Sequence, residues 1–331
     1  MLCENRVVAK RCLAVLVAGV VVGAAQASAA SFGQLPGARS IKVCAAAGPF
    51  WPTMTLALSG SAAWVGCKEQ SRILRVSTST GKVAKTTRLS GPVIAVAAGL
   101  GSVWALDADG TLYRINPVSA KVVKRIPLLA RAAYNIWIGG GSVWVADDQG
   151  AEVIRVAPKS NKVVARVAVG DGPADIVFDS ASAWVIDHRD RALFRIDLTT
   201  NAASKLTTVP GDAPERMVLA GGKLWLTGRG TDLLRLSPST GALESTIEIG
   251  ASGIDLAVLG DSLWVPVRSA AVDASGFPTM EALKRVSIAS GAVSTVAQAV
   301  GRLDVHGLAA RSGYVWLADN TSGFLYRVNA G

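Results

Sequence analysis

The sequence predicts an all-β protein, a seven-bladed β-propeller of four-stranded antiparallel blades, and three observations support this prediction. A unit of about forty residues recurs along the chain, each copy holding a tryptophan that is followed by an arginine in an apolar segment. Apolar residues within the units follow a period of two and not 3.6. Glycine-rich turns separate the short strand-like pieces. The repeated tryptophans are Trp64, Trp104, Trp144, Trp184, Trp225, Trp264 and Trp316, and the arginines are Arg75, Arg114, Arg155, Arg195, Arg235, Arg285 and Arg327.

Each unit is predicted to contain four strands in a fixed order. The first strand precedes the glycine turn, the second holds the tryptophan, the third holds the arginine and the fourth is a Lys-Val-Val-like segment. Four-stranded units of this length are typical of propeller blades, which bury their faces against one another around an axis. We expect the tryptophans to fill the space between blades. The arginines either stack and pair between blades or bind anions.

Closure of the ring requires a strand from the beginning of the chain. The last unit ends at RVNAG after its third strand, whereas residues 38–46 have strand character. We therefore predict that residues 38–46 supply the outer strand of the last blade, which removes an exposed sheet edge. Cys44 and Cys67 would then reach the same face and form a disulfide at the seam. The alternative is a pair of free buried thiols.

Residues 1–30 are predicted to be a secretory signal peptide. Three basic residues precede an apolar run of about fourteen residues and a small-residue cleavage site. The alternative is an uncleaved anchor. We expect residues 31–331 to form a single propeller domain that is exported, either periplasmic or extracellular, without membrane attachment after cleavage.

The charge pattern argues against nucleic-acid binding. Removing residues 1–30 takes away three basic residues and one acid, which lowers the net charge from +10 to +8. The remaining basic residues are scattered and form no run that would follow a phosphate backbone. We expect a monomer whose partner is a small polar ligand or another protein.

Two sets of polar residues are predicted at one face, where the central channel opens and ligands bind. We call it the mouth face; it holds the fourth-to-first connections and the second-to-third turns. The first set lies where the inner strands begin, and it forms either a ligand site or a hydrated rim. We call this set the ring residues: Tyr134, Asn135, Asp175, Glu215, Arg216, Asp255 and His306. The second set follows the tryptophans, as turn caps or as functional acids: Asp107, Asp147, Asp187, His188 and Asp319.

Catalysis has few candidates in this sequence. His188 and His306 are the two histidines, and either is able to act as a base near neutral pH. Asn135, Asp175 and Asp255 offer oxygens to Mg²⁺ or Ca²⁺. Because Arg216 in the same ring favours an anionic ligand, we predict no metal and no other cofactor. Motifs for nucleophilic hydrolysis are absent.

The sixth unit holds about eleven extra residues between Trp264 and Arg285. They fall in a second-to-third turn on the mouth face. The insertion is either a lid with Phe277 and Met280 as apolar contacts, or a loop without function.

The pattern GSVWVAD, LxRIDP and GKVVxxIxVG resembles the YVTN-type repeats of bacterial propellers and the virginiamycin B (streptogramin) lyase-like family. The YVTN resemblance implies an exported binding or scaffold protein. The lyase resemblance implies a magnesium ion and a catalytic histidine that open a cyclic ester by elimination. It places the family's acids at Asp107, Asp147, Asp187 and Asp319, with His188 or His306 as the base.

The sequence thus favours an exported, non-catalytic propeller that engages a ligand or protein partner at the channel mouth. The alternative is a metal-assisted enzyme, similar to streptogramin lyases or lactonases, with its site at the same mouth.

Overall fold

A computed structural model describes residues 34–46, 54–212, 214–272 and 278–331, leaving aside the side chains of residues 269–272, 278 and 306. Every described strand lies in the compact unit Phe32–Gly331. The strands form seven separate antiparallel sheets in blade order; six have four strands, and that of blade 6 has five because its first strand is in two pieces. The predicted all-β, seven-bladed propeller is therefore confirmed. The predicted signal peptide lies outside the described residues.

The first strand of each blade lines the axis, and the second strand lies beside it. The second strands are buried on both faces because neighbouring blades cover them, so their sequences are almost continuously apolar. In blades 1 to 7 the first strands are Met54–Ser59, Val93–Gly99, Ala133–Gly139, Pro173–Phe178, Pro214–Ala220, Ser252–Gly253 with Ala257–Leu259, and Val305–Arg311. The second strands are Ala62–Cys67, Ser102–Asp107, Ser142–Asp147, Ser182–Asp187, Lys223–Gly228, Ser262–Val272 and Tyr314–Asp319.

The third and fourth strands complete each blade toward its outer edge. The fourth strands are mostly exposed and polar, as outer strands must be. The third strands are Arg72–Ser77, Thr111–Ile115, Glu152–Ala157, Ala192–Asp197, Asp232–Leu236, Pro278–Ser287 and Phe324–Asn329. The fourth strands are Val83–Arg88, Val122–Pro127, Lys162–Ala168, Ala203–Thr208, Leu243–Glu248, Val293–Gln298 and, in blade 7, Arg39–Lys42. A short 3₁₀ helix, Lys68–Gln70, follows the second strand of blade 1.

The N-terminal strand closes the ring, as predicted. Arg39–Lys42 pairs antiparallel with Phe324–Asn329 in blade 7. Consecutive inner strands contact one another, and that of blade 7 contacts that of blade 1. Cys44 lies two residues beyond the closing strand and forms a disulfide with Cys67 in blade 1, with the Cα atoms 5.6 Å apart. The disulfide and the shared sheet therefore both fix the N-terminal segment where blades 7 and 1 meet, which we call the seam.

The repeated tryptophans fill the space between blades. All seven are between 0% and 3% exposed. An indole of this kind buries about 150–250 Å², worth about 4–6 kcal/mol before the cost in entropy. Trp104 of blade 2, for example, belongs to one buried cluster with Val145 and Ile154 of blade 3.

Two of the repeated arginines, Arg114 and Arg155, connect consecutive blades in the same way. The guanidinium carbon of Arg155 lies 5.0 Å from the ring centroid of Trp144. Arg155 also donates to Ser142 Oγ in its own blade and to the carbonyl of Leu198 in the next blade. Arg114 makes the same set of contacts one blade earlier. Arg114 and Arg155 therefore stack and pair between blades, which is the first of the two predicted roles.

Blade 6 differs from the others in its first strand and in the insertion. Pro266 in the second strand faces the inner strand and has no N–H to donate, so the inner strand is interrupted at residues 254–256. The insertion lengthens the hairpin between Ser262–Val272 and Pro278–Ser287. Phe277 lies outside the described residues. Met280 is buried in a core cluster, so it is not an accessible lid contact.

Candidate functional site

β-Bulges occur where the inner strands begin at the mouth face. The register between first and second strand shifts at this point in blades 2, 3, 4, 5 and 7, and blade 6 has its interruption there. A bulge inserts a residue and redirects the side chains that follow. The ring residues lie within or directly after these irregularities. Bulges therefore set their positions, which strict strand alternation does not predict.

Asp175 is a buried carboxylate that joins three blades. It follows the bulge of blade 4 and is 8% exposed. Its Oδ1 accepts a 2.6 Å hydrogen bond from Trp137 Nε1 of blade 3, and its Oδ2 accepts a 2.7 Å bond from the main-chain N–H of Met217 in blade 5. Burial raises the pKa of Asp175 to about 6, although Arg216 opposes this rise. The carboxyl group therefore titrates close to physiological pH.

Arg216 and Asp255 form an ion pair between blades 5 and 6. Arg216 Nε lies 3.7 Å from Asp255 Oδ1, and the two side chains are 20% and 17% exposed. Asp255 Oδ2 accepts a bond of 3.1 Å from the N–H of Leu308 in blade 7. Burial alone lowers the pKa of Arg216, but nearby acids, above all Asp255, raise it above its ordinary value. The guanidinium is therefore permanently charged and reachable from the mouth.

Glu215 occupies the bulge of blade 5 between two further arginines. Its Oε1 lies 3.0 Å from Arg229 Nε and its Oε2 lies 3.4 Å from an Arg268 nitrogen. Partial burial acts to raise the pKa of Glu215, but the guanidinium groups of Arg229 and Arg268 lower it below its ordinary value. Glu215 is thus an ionised carboxylate, with a quarter of its side chain exposed.

The other ring residues contribute less to this network. Tyr134 is 40% exposed and lies close enough to Arg216 to contribute to the raised pKa of that arginine. Asn135 Oδ1 accepts a bond from the N–H of Ile136, the next residue. The main chain of His306 lies in the bulge of blade 7, and its side chain is outside the described part. The described contacts therefore bring together Asp175, Glu215, Arg216 and Asp255.

The aspartates that follow the tryptophans are turn caps in the structure. Asp107, Asp147, Asp187 and Asp319 are 0% or 1% exposed. Asp147, for example, accepts main-chain bonds from Arg131, Ala132 and Gly150, which tie the fourth-to-first connection to the second-to-third turn. The family resemblance implies functional acids at these four positions. Their burial and their main-chain partners leave them unavailable to a ligand.

His188 lies in the second-to-third turn of blade 4 and is partly buried. Its Nδ1 lies 2.9 Å from the carbonyl oxygen of Gly172. Because a carbonyl oxygen only accepts, Nδ1 is the donor in this contact. The described contacts do not connect His188 with a ring carboxylate.

The described carboxylates do not fit the magnesium ion that the resemblance implies. Among the described residues, no three His, Cys, Asp or Glu side chains come together as a metal site would require. The four turn aspartates already accept main-chain N–H groups, and Arg216 lies among the ring carboxylates. A divalent cation placed there would face a guanidinium as well as oxygens. The expectation that the protein has no cofactor remains a prediction.

Sequence reasoning missed Trp137, Arg229 and Arg268. Trp137 is outside the series of seven repeated tryptophans and occupies an inner-strand position where the other blades have alanine or valine. That departure from the repeat is the signal that could have found it. Arg229 and Arg268 lie just after the second-strand positions at which other blades have their turn aspartate. Nothing in their local sequence indicates that both reach Glu215.

Similarity to known proteins is confined to structure. No protein-family model matches the chain, and no curated protein matches it in sequence. A solved structure titled streptogramin B lyase has a TM-score of 0.68 and 15% identity, covering 89% of this chain and 97% of that one. Hydrazine synthase of Kuenenia stuttgartiensis has a TM-score of 0.69 and 11% identity, with 86% and 97% covered. The U3-55K structure has a TM-score of 0.70 and 9% identity, with 88% and 98% covered.

These similarities define the class of protein, a seven-bladed β-propeller that shares its fold with a streptogramin B lyase. Identities of 15% and below support the fold alone. Membership of the YVTN-type family remains a prediction. Among the described residues, no helix has the length and apolar character needed to cross a membrane.

Proposed function

We propose that this protein is an exported, non-catalytic propeller that binds a small polar ligand at the mouth of its central channel. The observation that supports the proposal most directly is the position of Arg216. Its guanidinium, one-fifth exposed, lies 3.7 Å from Asp255 and next to the carboxylates of Asp175 and Glu215. Three successive blades thus present both signs of charge at one opening.

The chemistry of these residues favours a ligand with both donors and acceptors. Arg216 presents a planar donor group that suits a carboxylate, whereas Glu215 and Asp255 accept hydrogen bonds from an ammonium or a hydroxyl group. A zwitterion matches both requirements. A purely anionic or purely cationic ligand would leave one kind of ring residue facing a like charge.

The absence of catalysis is part of this proposal and has its own support. One ring nitrogen of His188 forms a hydrogen bond with a main-chain carbonyl, and the four buried turn aspartates accept hydrogen bonds from main-chain N–H groups. Within the described residues, the hydrogen bond of His188 goes to a main-chain carbonyl and not to a hydroxyl, thiol or carboxyl group of the kind that a nucleophile with an adjacent base would use.

Titration calorimetry with free amino acids tests the binding proposal, with neutral monosaccharides as the comparison. We expect heat with at least one amino acid, and loss of that heat in Arg216→Gln and in Glu215→Gln. Glu152→Gln is the matched control, because Glu152 forms an ion pair with Arg166 in blade 3 outside the ring. Absence of binding to all amino acids, or equal loss in the control, would contradict the proposal.

Export is tested separately by expressing the full chain with a C-terminal tag in a bacterial host. We expect the tagged protein in the periplasm or medium, with residues 1–30 removed as shown by mass spectrometry. A cytoplasmic, full-length product would contradict the signal-peptide prediction and leave the ligand proposal standing. Gel filtration of the same product tests the expected monomer, and co-purification from the host fraction tests for a protein partner.

A lyase-like enzyme is the second candidate, because the fold is shared with streptogramin B lyase. Incubation with a type B streptogramin and Mg²⁺, followed by mass spectrometry, tests this function. Opening of the cyclic ester, and its loss in His306→Ala or His188→Ala, would favour the enzyme over the binding protein. If the streptogramin remains intact, the protein does not act as a lyase on this substrate.

A further inference from the structure

A cavity of about 410 Å³ opens between blades 7 and 1. It lies on the face opposite the channel mouth, where the first-to-second and third-to-fourth turns are located. Its walls include Thr78 and Ser79 from blade 1 and Arg311, Tyr314, Trp316 and Arg327 from blade 7. No acidic side chain is among the residues that line it.

One turn residue that lines the cavity, Thr78, is unlike its counterparts. Thr78 occupies the second position of the third-to-fourth turn of blade 1, which has the same hydrogen bonding as the corresponding turns of other blades. In blade 4 this position holds Leu198, and a Cβ atom added to Gly140 of blade 3 would meet Leu198 Cδ1 at 2.6 Å. Thr78 is shorter than Leu198 and polar, and it lines the cavity together with Trp316. The counterparts in blades 2 to 6 are all apolar: Pro117, Pro158, Leu198, Pro238 and Ile288.

Arg327 has fewer hydrogen-bond partners than Arg114 and Arg155, its counterparts in blades 2 and 3. Arg155 donates to a serine, a main-chain carbonyl and the side chain of Asn201. Arg327 donates to the carbonyl oxygen of Thr78 at 2.7 Å, and its guanidinium stacks 4.4 Å from the ring centroid of Tyr314. Tyr314 replaces the serine of the repeat, and Gly81 replaces the asparagine. The remaining donors of Arg327 therefore face the cavity without a side-chain partner among the described residues.

Three arginines lie in or beside this cavity, and none of them forms an ion pair with a described acidic side chain. Arg39 lies directly opposite Arg327 in the sheet ladder, and like charges in that arrangement repel. Arg39 donates to the carbonyl oxygens of Ser79 and Thr80, which are neutral. Within the described part of the chain, none of the ion pairs involves Arg39, Arg311 or Arg327. An anion at this place would relieve the repulsion.

We propose that the seam cavity, lined by Thr78, Arg311, Tyr314 and Arg327, binds a small carboxylate ligand with a flat apolar body. The planar donor fork of a guanidinium matches the two oxygens of a carboxylate. Tyr314 and Leu58 provide the apolar wall for a ring, and the hydroxyl groups of the turn accept or donate at its edge. This site is separate from the channel mouth, and its ligand does not depend on the ring residues.

Titration calorimetry with benzoate tests the proposal, and benzamide serves as the uncharged ligand of the same shape. We expect benzoate to bind with a Kd on the order of 1 mM or lower, and benzamide at least about tenfold more weakly, since it loses the charge-assisted hydrogen bonds. Arg327→Gln should weaken benzoate binding by about tenfold or more. Arg155→Gln is the matched control, because it removes the corresponding arginine from blade 3, which contributes no residue to this cavity, and it should leave binding unchanged.

A second variant keeps the test valid if Arg327→Gln does not fold. Thr78→Leu introduces the residue found in blade 4 and should abolish benzoate binding while retaining the folded state, as judged by circular dichroism. Equal binding of benzoate and benzamide would overturn the proposal, because charge would then play no part. So would the absence of benzoate binding to the unaltered protein, or undiminished binding in Thr78→Leu.

Discussion

The indole nitrogen of Trp137 in blade 3 lies 2.6 Å from the carboxylate Oδ1 of Asp175 in blade 4. The same carboxylate accepts the main-chain N–H of Met217 in blade 5. A single buried side chain thus joins the inner strands of three consecutive blades. Since the pKa of Asp175 is raised to about 6, the strength of this junction depends on pH.

Replacing Trp137 with phenylalanine removes the donor to Asp175. A hydrogen bond to a charged acceptor contributes about 1.5–3 kcal/mol to the free energy of unfolding, and a hydrogen bond to a neutral acceptor contributes less. We therefore expect Trp137→Phe to cost more stability at pH 8 than at pH 5, measured by urea denaturation. Trp225→Phe is the control, because Trp225 Nε1 donates to a main-chain carbonyl that does not titrate. Equal losses at both pH values would contradict the assignment.

Asp175 should also make stability depend on pH with a defined sign. Its folded-state pKa of about 6 is above the ordinary value of 3.8, so its contribution is fully present below about pH 4 and is lost as pH rises through 6. A rise of this size corresponds to about 3 kcal/mol. Relative to Asp175→Asn, the unaltered protein should therefore lose about that amount between pH 4 and pH 7 in chemical denaturation.

Asp197 provides a control of opposite sign for this experiment. Hydrogen bonds from Thr200 and Thr199 lower the pKa of Asp197, so its contribution is present above the ordinary pKa and is lost as pH falls. The difference between unaltered protein and Asp197→Asn should therefore grow as pH rises from 3 to 5. If the stability of the unaltered protein relative to Asp175→Asn also increased with pH, burial would not control the titration of Asp175.

The turn aspartates should be among the most important residues for stability. Asp147 is buried and accepts bonds from the N–H groups of Arg131, Ala132 and Gly150. Asp147→Ala leaves these donors without their acceptor, and we expect a loss of about 3 kcal/mol or more in unfolding free energy. Asp171→Ala, at a residue whose side chain is 72% exposed, should change stability by less than about 0.5 kcal/mol. Similar losses in both would refute the structural role.

The sequence was sufficient for the architecture because the repeat encodes it many times. Counterparts of Trp144 and Arg155 recur in seven units, 10 or 11 residues apart in all but the sixth, and each copy makes the same demand for burial between blades. The need to cover the third strand of blade 7 likewise predicted a closing strand within residues 38–46, and the structure has it at Arg39–Lys42. Such features follow from period and burial alone, which are properties that a sequence displays directly.

The site was less predictable because it depends on departures from the repeat. Glu215 and Asp175 were found because they are polar at the start of inner strands. Their partners Trp137 and Arg229 were missed, since bulges redirect the side chains and contacts between blades do not follow from linear spacing. The interruption opposite Pro266 was missed for a related reason, because one absent N–H has no periodic signature.

The disulfide between Cys44 and Cys67 should stabilise the closure of the ring. It links the segment after Arg39–Lys42 to blade 1 over a separation of 23 residues, and bonds of this kind contribute about 2–4 kcal/mol. We expect the double variant Cys44→Ala with Cys67→Ala to unfold at lower urea concentration than the oxidised protein. Hydrogen exchange should increase first at Arg39–Lys42 and at its partner Phe324–Asn329, because those strands lose their covalent restraint. Uniform exchange across all seven blades, or unchanged exchange at this seam, would show that hydrogen bonding and packing hold the N-terminal strand without help from the disulfide.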